Sequence, residues 1–173
     1  MCDTSIGANR LCRNKGQGGL AGEVYFFNYV ENAFTLTGRL ATALDGLTGQ
    51  TVYKYVIQGD SNTFEENIVS DHKTGSKVNT QTLVTQLFRQ DSETSVELDA
   101  LLESNVSAVV KDANGQYRWM GEDGINVTST AQAITGGAST DTNGYNVTLV
   151  AETLKSAPFL DASTVTAFLG LVA

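Results

Sequence analysis

The chain has 173 residues, 41 % apolar and 17 % charged, with 17 glycines and one proline. Those values describe one globular domain rich in tight turns and exclude a collagenous repeat or a proline-rich linker. A formal charge of −8 and a pI near 4.5 exclude a phosphate-gripping surface of clustered Lys and Arg, but not a channel wall past which DNA slides without sticking.

Residues 1–22 hold Gly7, Gly16, Gly18, Gly19 and Gly22 beside Arg10, Arg13 and Lys15. They read as an extended or mobile N-terminal arm that orders only if something packs on it, and with three basic residues a subunit contact is at least as good a reading as nucleic acid. The stretch lacks an apolar h-region, so no signal peptide is expected. No run approaches about 18 apolar residues, so no membrane insertion is expected. Cys2 and Cys12 are expected to be reduced thiols rather than a disulfide framework. Synthesis in the cytoplasm follows, and the sequons at Asn105, Asn126 and Asn146 are then chance pairings.

From Glu23 the pattern turns strand-like. Val24–Tyr29 is aromatic and β-branched, and Phe34, Leu36 and Gly38 alternate with Thr35 and Thr37. Residues 51–58 alternate again after an Asp45-Gly46 turn, with Tyr53, Tyr55 and Ile57 as the expected core face. Residues 61–90 form two polar arms around Lys73-Thr74-Gly75, with only scattered Phe64, Ile68, Val69 and Val78. Such a hairpin is expected to project and to find its partner sheet in another subunit.

One helix is expected at about 91–104. Asp91 or Ser92 caps it, Glu93 favours its dipole, and Val96, Leu98, Ala100, Leu101 and Leu102 form the apolar stripe. The acidic run Asp91, Glu93, Glu97, Asp99, Glu103 reads as a solvated face. Strands resume at 106–111, 116–121 and 125–130, and again from Tyr145 to Glu152, joined by Asp112–Gly115, Glu122–Gly124 and a 136–144 loop. The expected fold is mainly β: an antiparallel β-sandwich or barrel with one flanking helix and a projecting hairpin. Its parts are the arm 1–22, the β domain 23–160, and a C-terminal docking segment 161–173 that reads equally as helix or strand.

No catalytic constellation is apparent, so no catalytic, cofactor-binding or metal residue is assigned. His72, the lone histidine, has no nucleophile elbow to serve. Cys2, Cys12 and His72 do not match a compact zinc spacing. Glu65-Glu66 and Glu122-Asp123 read as solvated pairs, and Gly16–Gly19 lacks the Lys-Ser/Thr of a P-loop. Tyr117 and Trp119 share a strand face, which is a core pair or else a stacking platform for a sugar or base.

The block Val109–Leu160 runs strand, Asn-Gly turn, aromatic strand, Gly-x-x-Gly turn, Thr-rich strand, Gly-Gly, Asp-x-Asn-Gly-Tyr, strand, Ala-Pro. It resembles the tail-tube-like structural proteins of phages and prophages of Bacteroidetes, especially the ring or tail-barrel proteins of crAss-like phages. The 61–90 hairpin followed by a helix fits the same plan, and the resemblance covers roughly residues 20–160. It implies a virion tail protein, made in the bacterial host cytoplasm, that forms homo-oligomeric hexameric or dodecameric rings beside portal, connector or tail proteins. DNA would pass through the lumen without sequence-specific binding. Whether the chain is a repeated tube subunit or a single connector ring stays open. The alternative is a β-sandwich module that binds a glycan or receptor, which an exposed Tyr117–Trp119 pair would favour.

Overall fold

The computed structural model describes residues 18–57, 61–138 and 141–173. The first strands are β1 (Leu20–Asn28), β2 (Thr35–Thr37), β3 (Leu40–Ala43) and β4 (Tyr53–Val56). The hairpin β5 (Thr63–Asp71) and β6 (Ser76–Phe88) follows, then α1 (Ser92–Glu103). Next come β7 (Val106–Asp112), β8 (Tyr117–Met120), β9 (Thr130–Ile134), β10 (Gly144–Thr153), β11 (Phe159–Leu160) and α2 (Ala162–Leu169). They build a seven-stranded sheet, β2-β3-β11-β8-β7-β1-β4, and a four-stranded sheet, β5-β6-β10-β9. The fold is mainly β and sandwich-like, and its sheets stay open rather than closing into a barrel. Among the described residues pairing is antiparallel except where β11 meets β3 and where Val52 bridges Val172.

The central strands of the large sheet are buried on both faces, which is why they read as continuous apolar runs. In β1, Val24 and Phe26 face the four-stranded sheet and pack with Leu83, Leu149, Val110 and Met120. Tyr25 and Phe27 face the other way into a second core with Phe34, Leu47, Trp119 and Phe168. Each large apolar side chain buried there contributes roughly 1.5–3 kcal/mol. Phe168 sits at the centre of the second core, with ring centroids 5.6 Å from Tyr25, 6.2 Å from Phe27 and 6.0 Å from Phe34. The segment 161–173 thus holds a helix, Ala162–Leu169, that covers this core, and among the described residues two helices flank the sheets where one was expected. The chain then returns to β4, with Val52 donating to Leu171 and Ala173 donating to Val52.

The α1 helix falls where its spacing and cap put it. The Asp91 carboxylate accepts from the Thr94 amide at 2.7 Å, and Leu98 and Leu101 pack into the core between the sheets. The polar hairpin departs from expectation. Only residues 67–78 are exposed throughout. Below them β6 pairs with β10 from Asn79 to Phe88, and every second residue from Asn79 to Leu87 is buried. The hairpin's base therefore belongs to the domain's own sheet, and only its tip projects.

Two smaller readings also change. Of the expected core face on β4, Ile57 is buried and Tyr55 half-buried against Phe26, but Tyr53 is 47 % exposed. The strand is a sheet edge, and α1 covers only part of it. The strand expected at 125–130 forms instead at 130–134. Asn126 explains the shift: its side chain donates to the Glu152 carbonyl and accepts from the Glu152 amide, taking the place of a backbone partner on β10.

Candidate functional site

The described residues that sequence analysis weighed for chemistry do not converge. His72 sits on the exposed hairpin turn. Asp71 shapes that turn by accepting from the Lys73 amide at 2.8 Å and the Thr74 hydroxyl at 2.9 Å, which hold its carboxyl below the usual value. Glu65 is exposed, whereas Glu66 points inward and accepts from the Ala157 amide at 2.8 Å. Glu122 pairs with Arg39 at 2.9 Å beside Asp123, in a cleft of about 470 Å³ that also contains Tyr29, Glu31 and Trp119. Cys2 and Cys12 lie outside the described residues. Among the described residues no three His, Cys, Asp or Glu side chains cluster to hold a metal ion.

Trp119 is 1 % exposed and Tyr117 is 9 % exposed. Both face the second core, where Trp119 lies 4.9 Å from the Phe34 ring. They offer no stacking surface.

Open edges and polar faces are the more distinctive features. The four-stranded sheet ends in β5 on one side and β9 on the other, and among the described residues each pairs on only one side. Residues 130–133 of β9 are exposed and read Thr-Ala-Gln-Ala, with no charge or proline. Such an edge lacks the devices that normally discourage pairing with another strand. The sheet's outward face carries Thr80, Thr82, Gln86, Thr130, Gln132, Asn146 and Thr148 and no Lys or Arg. The inward face carries a polar bolt that sequence reasoning missed. Gln81, 1 % exposed, accepts from the Gly121 amide of the large sheet at 3.0 Å and donates to Thr153 Oγ1 at 3.3 Å.

A second cleft, of about 230 Å³, lies between α1 and β4 and is walled by Phe26, Tyr53, Tyr55, Leu101 and Val106. Glu97 lines it and accepts from the Tyr55 hydroxyl at 2.7 Å. Burial first, and then this hydrogen bond, hold the Tyr55 phenol above its ordinary value. On the far face of β4, Glu23 pairs with Lys54 at 2.5 Å and accepts from Tyr25 at 2.8 Å, so its carboxyl stays low.

No family model matches the chain. No curated protein matches it, and no solved structure matches it.

Proposed function

We propose that this chain is a structural subunit that closes head to tail into a ring, and that the ring belongs to a phage tail and surrounds the DNA channel. The observation that carries the reading is the four-stranded sheet, both of whose edges are open among the described residues. Its strands run antiparallel and are even in number, so β5 and β9 point in opposite directions. When copies are related by rotation about an axis along the strands, β9 of one copy meets β5 of the next as an antiparallel pair. One patch meets a different patch, so the contact is heterologous and closes into a ring when the rotation allows. The assignment to a phage tail rests on the resemblance of residues 20–160, with the mainly β fold as support.

The cation-free outer face of the same sheet suits a lumen wall. Neutral hydroxyl and amide groups, with Glu65 and Glu152 the acids within the sheet's body, would not hold phosphates as DNA moves past. The burial of Trp119 and Tyr117 favours the structural reading over the glycan-binding one, which an exposed pair would favour.

Single proline substitutions at 130, 131, 132 and 133 test the proposal. Amides in an edge strand alternate between the sheet and the open side. Proline should abolish assembly without unfolding at the outward-facing positions, and should destabilise the fold at those between. Assembly unaffected by every variant that stays folded would overturn the β9 edge as the joint.

A further inference from the structure

We propose that the tip of the β5–β6 hairpin seats in the α1–β4 cleft of a second copy, so that copies join along the strand axis as well as around it. The inference rests on the self-assembling subunit proposed above and goes further by naming a second contact.

The tip is the cationic projection of an acidic chain. Residues 67–78 hold Lys73 and Lys77 against one acid, Asp71, whose carboxylate is engaged in the turn. Neither lysine has an ion-pair partner among the described residues. The tip is also apolar where solvent should favour polar groups. Ile68 is 54 % exposed, Val69 56 % and Val78 38 %, and Val69 pairs directly with Val78 across the hairpin. Val69 and Val78 form one exposed β-branched pair, with Ile68 on the opposite face of the ladder, and the pair points to a partner surface.

The cleft is complementary on both counts. Its walls are aromatic and aliphatic, and it can take a branched side chain. Along α1 stand Glu93, Glu97, Asp99 and Glu103 with no Lys or Arg, and Val96 is 69 % exposed among them. Opposite charges around an apolar contact set its register and penalise mispairing.

Geometry makes the contact intermolecular. The tip leaves the four-stranded sheet beyond Asn79, where β10 ends at Thr153. Helix α1 begins past the opposite end, with Ser95 bonded at 2.8 Å to Tyr145, the residue paired with Leu87. The strand between these points is roughly 30 Å long at about 3.4 Å per residue. A chain therefore does not reach its own cleft, but a second copy displaced along the strands presents one. A tip-to-cleft contact joins unlike patches, so it repeats from copy to copy. It favours the stacked tube over the solitary connector ring.

The test uses the full chain with a photoreactive benzoylphenylalanine in place of Val69, together with the charge reversal Lys73→Glu/Lys77→Glu. Adducts joining position 69 of one copy to residues 53–56 or 96–104 of another are expected. The reversal should remove stacks in electron micrographs and leave single rings, and adding Glu97→Lys/Asp99→Lys should restore stacks. Adducts elsewhere on a second copy, or stacks indifferent to the reversal, overturn the tip contact and leave the ring reading intact. A chain that stays monomeric and gives no intermolecular adduct overturns both.

Discussion

Gln81 on β6 and Gly121 after β8 tie the two sheets together, the Gln81 side-chain oxygen accepting the buried Gly121 amide at 3.0 Å. The neighbouring inward residue, Asn79, is fully buried, and among the described residues neither of its side-chain polar atoms has a hydrogen-bond partner. Opposite outcomes are expected from the same replacement at the two sites. Gln81→Leu leaves the Gly121 amide unpaired and should cost about 1–3 kcal/mol. Asn79→Leu removes unpaired polar atoms and should be neutral or stabilising by about 1 kcal/mol. Urea titration of both variants measures the difference. A loss above about 1 kcal/mol for Asn79→Leu would show that its amide has a bound partner such as water.

Gly144 opens β10 where the backbone of β6 passes closest. A Cβ built there would lie 1.9 Å from the Leu87 carbonyl oxygen. Because that obstacle is backbone, Gly144→Ala should cost about 1–3 kcal/mol or more through strain. Gly115→Ala, where a Cβ meets open space but φ is +78°, should cost less. Equal stabilities for the two variants would contradict the close approach.

The second core depends on α2. Phe168→Ala should cost about 3–5 kcal/mol, as should Trp119→Ala, because both side chains are almost fully buried against the same aromatic cluster. Thermal unfolding followed by circular dichroism reads this directly. A Phe168→Ala protein as stable as the parent would mean that the C-terminal segment only decorates the domain.

Acid should weaken the fold through carboxylates that serve the backbone. The Thr94 amide holds Asp91 low, the Ser163 side chain and amide hold Asp161 low, and the Lys73 amide holds Asp71 low, against an ordinary value of 3.8. Each group therefore binds its proton less readily folded than unfolded. The stabilisation is complete above that ordinary value and is lost as pH falls through the lower folded values. The melting temperature should drop on the acid side, and Asp91→Asn, which keeps a capping oxygen but cannot titrate, should shrink that drop. An unchanged acid limb in Asp91→Asn would exclude Asp91 from the effect.

What could be read from sequence follows from how strongly each residue type signals its surroundings. Asp91 before Leu98 and Leu101 announces a capped amphipathic helix, and the 112–115 turn between β7 and β8 announces its hairpin. Tyr117 and Trp119 on one face signal a core pair, and both are buried. The inward face of β6 gave no such signal, because Asn79, Gln81 and Thr85 are polar residues whose burial is decided by partners far along the chain. Asn126 hid the start of β9 for a related reason, since its side chain does a backbone's work. Tyr53 misled in the opposite direction, an aromatic residue left 47 % exposed on an edge strand. The candidate joint was legible only in part. The hairpin stood out, while the open β9 edge follows from strand order, which depends on long-range pairing.

The claim that this chain is a ring-forming subunit is tested most directly by the mass and image of the purified 173-residue chain across a concentration series. Native mass spectrometry should give a closed oligomer of six or twelve copies, and negative-stain micrographs should show rings with a central opening. A monodisperse monomer at the highest concentration, with no rings in the micrographs, would contradict the account.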